Sequence, residues 1–235
     1  MLTLYTLMLS VSTYCCIIRL WKSQAACQTV NKPAPKPYHH GDLHQEILCA
    51  ARELLEQNNI NSLSLRAVAK KVGVSHTAPY RHFKDKESLL AGIAGLGYDE
   101  LTAQMNEAVA SHPGDPAAQL QAAGLRYVQL ALECPQCTQL MFSGVLPCDD
   151  TYPELRASRD AAFNGLKTII EEGQASGVFK QGDIELLALS AWSGIHGLTL
   201  LLIGGNLPEI LTMTVDTGPL TNAITTNMLD GLKAS

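Results

Sequence analysis

Basic and hydrogen-bonding side chains are concentrated in one short stretch, residues 64–83, which reads SLRAVAKKVGVSHTAPYRHF. Arginine and lysine bind phosphates, whereas histidine and threonine can hydrogen-bond to the edges of bases. We therefore expect His76 and Thr77 to read base edges and Arg81 to bind either a phosphate or a guanine. Arg66 and Ser75 are assigned to the same DNA-facing side. These residue types are suited to binding a nucleic acid rather than to transferring a chemical group.

The elements that must position these side chains are two short helices joined by a tight turn. Ser64 can cap the first helix by accepting from an early backbone N–H, and Gly73 stands where a residue with positive φ ends it. Ser75 can cap the second helix. Apolar residues at helical spacing predict the inner faces: Leu65, Val68, Ala69 and Val72 in the first helix, then Ala78, Tyr80 and Phe83 in the second. A helix, a turn with glycine and a second helix form the helix-turn-helix layout, whose second helix enters the major groove.

This layout alone is also typical of a plain helical hairpin with a solvated basic face. The amino-acid sequence of this stretch is more specific than the layout. The run LSLRAVAKKVGVSHTAPYRHFKDKESLL contains, in order, a VGVS turn, a Tyr-x-His-Phe sequence and a Lys-Asp-Lys-Glu-x-Leu-Leu helix start. It closely resembles the DNA-binding domain of the TetR family of bacterial transcriptional regulators, from about Tyr38 to Gly97. The resemblance implies that Tyr80, His82 and Lys86 contact phosphates. A half-buried packing role for Tyr80 is an equal alternative.

The charge distribution supports a nucleic-acid-binding part followed by an acidic remainder. Residues 1–87 contain 11 Lys and Arg against 6 Asp and Glu, a net charge of +5, whereas residues 88–235 contain 6 against 16, a net charge of −10. The net charge of the whole chain, −5, hides this asymmetry. A basic segment attached to an acidic domain fits one module that touches DNA and another that does not.

Four short motifs in the second half carry another resemblance. They are Tyr127-Val128 with Ala131-Leu132-Glu133, then Leu140-Met141-Phe142, then Tyr152-Pro153-Glu154-Leu155, and finally Trp192-Ser193-Gly194-Ile195-His196-Gly197. Their order resembles that of the TetR-family C-terminal domain named for its Trp-His-Gly motif, over about residues 120–205. This resemblance implies a domain that binds an inducer and forms a dimer.

Two residue sets follow for this second domain. A mostly apolar pocket with a few polar groups is expected to be lined by Tyr127, Met141, Phe142, Phe163, Trp192 and His196. Each of these is also acceptable as plain core, and a lone histidine on an apolar helix is more often a satisfied core residue than a ligand. The last two long helices resemble those that pair across the two-fold axis in the family, and small residues would let them approach closely: Ala188, Ala191, Gly194 and Gly197.

The periodicity of the chain is helical throughout and shows no convincing alternating strand. It predicts a first helix from Asp42, with Gln45 completing a capping box, to about Gln57, and a fourth helix from Asp85 to about Ala110. Later helices are expected at 117–133, 135–142, 154–176, 183–203 and 220–232. The domains are predicted as an extension and proline-rich linker at 1–37, a DNA-binding domain at 38–97, and a C-terminal domain at 98–235.

Residues 1–18, MLTLYTLMLSVSTYCCII, are apolar and uncharged. Three interpretations remain open for them. A disordered extension or a start codon assigned too early is favoured, a membrane anchor comes second, and a signal peptide third, because the positive charge follows the apolar run instead of preceding it. Lys32 and Lys36 lie in the linker that follows. They suit either a minor-groove arm or, more simply, a solvated linker.

Seven cysteines scattered over the chain do not resemble a disulfide framework, so a reducing compartment is expected. Cys134-Pro-Gln-Cys137 is a C-x-x-C pair without the second pair or the spaced histidines of a zinc site. A redox-sensing pair and two half-buried helix cysteines are both compatible with it, the latter more simply. No catalytic motif of the G-x-S-x-G, H-E-x-x-H or phosphate-loop type is present, so we expect no enzyme activity, no cofactor and no metal.

Together these features predict an all-α, two-domain, homodimeric regulator in the cytoplasm. It would bind double-stranded operator DNA at a near-palindromic site and respond to a small-molecule inducer, most simply as a repressor. The alternative from a different class is a membrane-tethered binding protein that uses residues 1–18 as its anchor, although we do not expect a membrane to be involved. An enzyme is a distant third.

Overall fold

A computed structural model describes residues 43–147, 150–207 and 217–234, and these residues are almost entirely helical. We number the helices in chain order: α1 Leu43–Gln57, α2 Leu65–Val72, α3 Lys86–Ala110, α4 Pro116–Glu133, α5 Pro135–Phe142, α6 Pro153–Ala175, α7 Ile184–Ile203 and α8 Thr217–Leu232. Within the described ranges no strand occurs, and the extended pairing is one isolated bridge between Phe179 and Lys233. The all-α prediction is confirmed.

The local signals in the sequence account for most helix ends. The hydroxyl of Ser64 accepts from the backbone N–H of Ala67, and Gly73 ends α2 with a φ of 81°. Asp85 and Ser88 form a capping box at the start of α3, in which each side chain accepts from the backbone N–H of the other residue. Asp115 caps α4 by accepting from the backbone N–H of Ala118, and Asp183 caps α7 by accepting from that of Leu186. The proposed cap at Asp42 and the interpretations of residues 1–37 lie outside the described residues.

The second helix of the helix-turn-helix differs from the prediction. Instead of an α-helix from Ser75 to Phe83, the chain forms a turn and a three-residue 3₁₀ helix, Pro79–Arg81. Proline has no N–H to give to the carbonyl of Ser75, and that carbonyl accepts from Ala78 instead, at 3.0 Å. The tighter i→i+3 pattern continues with Arg81 bonded to Ala78. We call residues 75–83 the recognition segment.

The inner side of the recognition segment also differs. Phe83 is buried as predicted, but Tyr80 is 50% exposed, and Pro79 is buried in its place. The ring of Phe83 stacks on His44 of α1, with centroids 4.9 Å apart. Phe83 therefore joins the recognition segment to α1. The exposed residues of the segment are Ser75, His76, Thr77, Tyr80, Arg81 and His82.

Helix α3 connects the helix-turn-helix to the rest of the structure. A Cβ placed on Gly92 would lie 2.8 Å from Leu48 of α1, and one placed on Gly97 would lie 2.6 Å from the Met141 sulfur of α5. Both distances are closer than side chains normally approach, so a larger residue at either position would force Leu48 or Met141 to shift. The helix of 25 residues is about 37 Å long and spans both parts.

The second half of the chain packs as two adjoining clusters of buried side chains. One is centred on Ile170, Phe179 and Ala188 between α6, α7 and α8, and the other on Tyr127, Val128 and Ile195 between α4 and α7. Helix α7 contacts α4, α6 and α8. By length and composition, α7 is also the described helix that could cross a membrane, and 28% of its 18-residue apolar stretch is buried inside the protein.

Candidate nucleic-acid interface and ligand site

The recognition segment brings the predicted base-reading residues to one exposed surface. His76, Thr77 and Arg81 are exposed, as is Ser75. The hydroxyls of Ser75 and Thr77 lie 3.2 Å apart, within hydrogen-bonding distance of each other, so the Ser75 hydroxyl bonds to a side chain and not to the helix start that it was expected to cap. This pair fixes the beginning of the segment, where side chains of a helix-turn-helix approach the groove floor.

The side chains with implied phosphate contacts have different surroundings. The amino group of Lys86 donates to the carbonyl of Asn61 at 3.3 Å, which holds it over the turn before α2. His82 packs edge-on against His44 at 5.8 Å between ring centroids. Tyr80 is half exposed, which is compatible with both a phosphate contact and the half-buried packing role given as its alternative.

Two arginines of this region have no recorded ion pair. Within the described residues, neither Arg66 on α2 nor Arg81 makes a salt bridge, whereas the nearby Lys71 pairs with Glu53 at 2.8 Å. Both arginines are exposed. A guanidinium without an internal carboxylate is available for a phosphate or for the acceptor edge of guanine.

In the second half, the structure brings the six predicted pocket residues together. Phe142 lies 4.5 Å from His196 and 5.9 Å from Trp192 between ring centroids, and Phe163 packs against Trp192 at 6.3 Å. Tyr127 is tilted toward Phe142 at 6.3 Å, and Met141 packs against the same buried cluster. We call these residues, Tyr127, Met141, Phe142, Phe163, Trp192 and His196, the aromatic cluster.

Three polar groups of the aromatic cluster form a chain of hydrogen bonds. The indole N–H of Trp192 donates to the hydroxyl of Tyr127 at 3.4 Å, and that hydroxyl lies 2.8 Å from Nδ1 of His196. Because the indole only donates, the Tyr127 proton is free for Nδ1, and a neutral imidazole then carries its proton on Nε2. Burial raises the pKa of Tyr127 and lowers the pKa of His196, so both are held neutral.

The space beside the aromatic cluster is small. A cavity of about 20 Å³ is lined by residues of α1, α3, α4 and α5, among them Arg52, Glu100, Tyr127, Cys134 and Phe142. That volume holds about one water molecule, whereas pockets for small organic ligands are usually some 300–1,000 Å³. The rings themselves fill the centre of the site, so a ligand must displace some of them to enter.

Several residues around these sites were not identified from the sequence. Tyr98 of α3 donates to the carbonyl of Met141 at 3.0 Å and packs edge-on against Phe142 at 5.6 Å. Arg52 and Glu56 of α1 reach the first turn of α5, where Glu56 accepts from the backbone N–H of Cys137 at 2.8 Å. The helical spacing of Tyr98 and Leu101, both buried on α3, can be recognised in the sequence. The contacts between α1 and α5 join distant parts of the chain and cannot be recognised from local patterns.

The predicted dimer contacts need a correction. Ala188 and Ala191 are buried within the core of their own chain, at 0% and 3% exposure. Gly194 faces Met228 of α8, whose sulfur would lie 2.8 Å from an added Cβ. Ala188 and Ala191 therefore pack inside the subunit and cannot face a second copy. Gly194 packs on Met228 but is partly exposed, so its place at the interface stays a prediction. Gly197 alone among the four is exposed, with open space where a Cβ would lie.

The exposed side of α7 is instead marked by large apolar residues. Four leucines lie on it, with Leu186 the most exposed at 63%, and the spacing of three and four residues places them with Gly197 in one stripe along the helix. We call this surface the leucine face: Leu186, Leu189, Gly197, Leu200 and Leu201. The exposed serines Ser190 and Ser193 lie within this stripe, and clustered exposed leucines are typical of an interaction surface.

The lowered pKa of His196 gives a pH-dependent contribution to stability. The unfolded chain takes up a proton near the ordinary histidine pKa of about 6.5, while the folded chain resists it. The contribution is therefore fully present above the unfolded pKa and is lost as the pH falls through the folded pKa. We expect the free energy of unfolding, measured by urea unfolding, to fall more steeply between about pH 7 and 5 in the native chain than in His196→Gln. Equal slopes would show that His196 takes up its proton freely in the folded state.

Two family models match the chain. The model for bacterial regulatory proteins of the tetR family matches residues 47–93, and that for a tetracyclin repressor-like C-terminal domain matches residues 120–225. The first contains α2 and the recognition segment, and the second contains all of the aromatic cluster. The Trp-His-Gly type of the C-terminal domain stays a prediction, because these matches do not address it.

Known proteins agree with the family models. The chain is 29% identical to YobS, an uncharacterised HTH-type transcriptional regulator of Bacillus subtilis, over 66% of this chain and 76% of that protein. It is 38% identical to the HTH-type transcriptional regulator AcrR of Shigella flexneri, over 34% of this chain and 37% of AcrR.

Solved structures extend the similarity to most of the chain. A protein of unknown function from Rhodococcus sp. RHA1 superimposes with a TM-score of 0.75 at 31% identity, over 85% of this chain and 100% of that one. FadR from Bacillus subtilis, in complex with stearoyl-CoA, shares the fold with a TM-score of 0.67 at 18% identity, over 80% of this chain and 99% of that one. With its helix-turn-helix and its helical C-terminal domain, this chain belongs to the TetR family of DNA-binding transcriptional regulators.

Proposed function

We propose that this regulator is a ligand-responsive repressor that binds a near-palindromic operator as a homodimer and is released by a small molecule. The observation that carries the proposal is that one helix, α3, contacts both sites. Near its start, Gly92 packs on Leu48 and Phe83 beside the recognition segment, and further along, Tyr98 bonds to Met141 and packs on Phe142 in the aromatic cluster. A change at the cluster therefore has a direct path to the DNA-binding residues.

The DNA contacts divide into two kinds. His76 and Thr77, at the start of the recognition segment, are assigned to base edges, and Arg81 to a phosphate or a guanine. The sequence-independent part of the affinity comes from phosphates. We assign Arg66, Ser75, Tyr80, His82 and Lys86 to these contacts on the basis of their exposure and of the family resemblance.

The homodimer is proposed to form through the leucine face of α7. Two copies of this face, related by a two-fold axis, would bury the four exposed leucines against each other, and Gly197 would let the helices approach closely. The exposed side of α8 has small and polar residues, including Asn222, Ala223 and Thr226, which can lie at the edge of such an interface. Burying one leucine fully stabilises by roughly 1.5–3 kcal/mol, so a set of eight is sufficient for association.

The inducer is proposed to enter the aromatic cluster. The cluster offers flat apolar surfaces and one polar edge. The polar edge is the Nε2–H group of His196, for which the described residues provide no acceptor. A neutral, apolar molecule with a single hydrogen-bond acceptor matches this site better than a charged one, since Tyr127 and His196 are both held neutral. Stearoyl-CoA, bound by FadR of the same fold, combines an apolar chain with charged phosphates and therefore serves as the charged comparison.

The release mechanism is proposed as a population shift. The site is nearly full in the described conformation, so ligand binding favours a second conformation in which Phe142 or Trp192 has moved. Displacing Phe142 moves the end of α5, which Tyr98 ties to α3. Movement of α3 in each subunit changes the separation of the two recognition segments, which must match successive major grooves about 34–36 Å apart.

The alternative of a membrane-tethered protein rests on residues outside the described ranges. The apolar character of α7 does not favour it, because one side of α7 packs on α4, α6 and α8 and a second copy accounts for the other side. We therefore place the protein in the cytoplasm, where its operator lies, and assign it no enzyme activity and no cofactor.

The DNA contacts predict the effect of single substitutions. Genomic DNA retained by the purified protein, once sequenced, provides the operator. Arg81→Ala should weaken operator binding by about 1–3 kcal/mol, and His76→Ala or Thr77→Ala should alter sequence preference more than the salt dependence. Arg159→Ala, which removes an arginine from α6, is the matched control and should leave the affinity unchanged. Binding is measured by fluorescence anisotropy over a range of salt concentrations. A native protein with no preference for any sequence would contradict the proposal.

The leucine face predicts the behaviour of two further variants. Leu189→Glu would place two carboxylates in the interface, and Gly197→Leu would hold the helices apart at a cost of roughly 1–3 kcal/mol, without disturbing the subunit, since no atom lies near that position. Both should shift sedimentation toward the monomer and weaken operator binding. Val145→Glu introduces the same charge at another exposed apolar residue, 54% exposed, and should sediment as the native dimer does. A Leu189→Glu protein that remains a tight dimer would exclude this face.

The aromatic cluster predicts a variant that separates ligand response from DNA binding. Trp192→Ala should bind the operator normally, but should require about tenfold more inducer for release, equal to ~1.4 kcal/mol. Trp21→Phe, which removes the other tryptophan, is the control and should respond as the native chain does. A screen of neutral apolar compounds and stearoyl-CoA for operator release supplies the inducer. An unchanged response of Trp192→Ala to a compound that releases the native protein would remove the cluster as the ligand site.

A further inference from the structure

The C-x-x-C pair lies at the junction between the DNA-binding helices and the ligand-binding part. Cys134 is both the residue that ends α4 and the N-cap of α5, and Cys137 is the third residue of α5. Both side chains line the same cavity of about 20 Å³. Cys134 is partly exposed and Cys137 is buried, so a small molecule that enters this cavity meets Cys134 first.

Charged residues from α1 and α3 surround this turn. Nη2 of Arg52 donates to the sulfur of Cys134 at 2.9 Å, while Nη1 pairs with Glu100 of α3 at 2.6 Å. Glu56, one helical turn after Arg52, accepts from the backbone N–H groups of Gln136 at 3.1 Å and Cys137 at 2.8 Å. The first turn of α5 is thus held to α1 through a sulfur at one point and through its backbone at another.

We propose that Cys134 and Cys137 are a modification site at which a hydroperoxide forms an intramolecular disulfide, and that this disulfide changes the contact between α1 and α5. Residues three apart on a helix have Cβ atoms about 5–6 Å apart, and a disulfide needs about 3.5–4.5 Å. Because Cys134 is an N-cap residue outside the helical conformation, a small rotation there is enough to close the bond. The inference does not depend on an inducer.

The reaction uses two thiols and one peroxide. The Cys134 thiolate attacks an oxygen of the hydroperoxide, the O–O bond breaks, and the leaving oxygen takes a proton, which leaves a sulfenic acid on Cys134. The Cys137 sulfur then attacks the Cys134 sulfur, the S–O bond breaks and water leaves. Two thiols and one molecule of hydrogen peroxide thus yield one disulfide and two molecules of water.

The surroundings assign different roles to the two cysteines. Burial raises the pKa of both thiols, to about 12 for Cys137, so the resting pair is protonated and reacts slowly. Only Cys134 also accepts a hydrogen bond from Arg52, which stabilises its thiolate. Cys134 is therefore the attacking cysteine, and Cys137 is the resolving one.

Closing the disulfide removes one of the two partners of Arg52, the Cys134 sulfur. The Cys134 sulfur must turn from the guanidinium toward Cys137, so that Arg52 keeps Glu100 but loses its contact with α5. The first turn of α5, which the disulfide tightens, also contains the two backbone N–H groups that donate to Glu56. A change in the position of α5 then reaches Phe142 at its end, which lies 5.9 Å from Trp192 between ring centroids.

The chemistry is tested on the full chain by labelling its thiols. Reduced protein is treated with hydrogen peroxide, alkylated and digested with trypsin. The peptide Tyr127–Arg156 contains both cysteines and Cys148, so the experiment uses Cys148→Ser, in which the pair stands alone. The peptide should lose both labels and weigh two hydrogen atoms less than its reduced, unlabelled form, and dithiothreitol should restore both labels. Full labelling after oxidation, or overoxidation of Cys134 with Cys137 still labelled, would overturn the proposal.

Two variants test the roles of the cysteines. In Cys137→Ser, Cys134 should accumulate as a sulfenic acid that dimedone traps, because no resolving thiol is present. In Cys134→Ser, Cys137 should remain labelled throughout. Trapping at Cys137 in the Cys134→Ser protein at the rate seen for Cys134 would overturn the assignment of the attacking cysteine.

The structural consequence is measured in the Trp21→Phe background, where Trp192 is the remaining tryptophan. Its emission should shift on oxidation, return with dithiothreitol, and stay constant in Cys134→Ser. Operator affinity of the oxidised protein should change by about fivefold or more, again not in Cys134→Ser. A complete disulfide with unchanged Trp192 emission and unchanged operator affinity would overturn the coupling. Because thiol labelling and emission need neither operator nor inducer, their outcome is independent of the proposed repressor function.

Discussion

The burial of α3 between two groups of helices is the constraint on which the rest of the structure depends. Its buried residues include Leu89, Ile93 and Leu101, and they point in several directions. Leu48 of α1 lies against Gly92 near the start of the helix, and α4, α5 and α6 pack further along. Deleting one such side chain costs about 2–5 kcal/mol when the neighbours cannot collapse. The helix therefore moves as one rigid body or repacks at both ends, and this is what lets a single element couple two sites.

Polar contacts add a second connection between the same parts. Arg52 is half-buried, and a buried guanidinium must keep its partners, because removing one leaves an uncompensated charge. Glu56 satisfies two N–H groups at the start of α5, which have no partners within that helix. Leucine and glycine contacts along α3 tolerate small sliding movements, whereas these hydrogen bonds are directional. Helix α3 supplies the rigidity of the junction, and Arg52 and Glu56 on α1 determine its geometry.

Local signals in the sequence were sufficient for the helices and for the caps that begin them. The recognition segment shows where such signals fail. Helical spacing predicted an α-helix over it, but Pro79 removes the one N–H that the carbonyl of Ser75 needed, and a single missing donor in a nine-residue segment is enough to favour the 3₁₀ turn. The same shift brings Pro79 inward and Tyr80 outward, which a periodicity argument cannot anticipate.

The dimer residues illustrate a different difficulty. Helix α7 is apolar on nearly every side, so its sequence does not distinguish the side that faces its own subunit from the side that faces outward. Small residues on α7 predict a close helix contact between subunits, and they do mark close helix contacts. Those at Ala188 and Ala191 lie within the subunit, however, because α7 crosses three neighbouring helices there. Only the packing of those neighbours leaves the leucines outside.

The sequence motifs predict the aromatic cluster as a set, although its members lie in four helices, α4 to α7, but they do not predict its chain of hydrogen bonds. Tyr127, Trp192 and His196 are 65 and 69 residues apart in the pairs that bond, and such distant contacts are invisible to local patterns. Their presence argues for a site rather than a plain core. A buried hydrogen bond contributes only about 0.5–1.5 kcal/mol net, and three apolar side chains of similar size would fill the same space without the need to satisfy any polar group. Stability alone therefore gives no reason for three polar groups among the rings, whereas recognition of a molecule with a polar edge does.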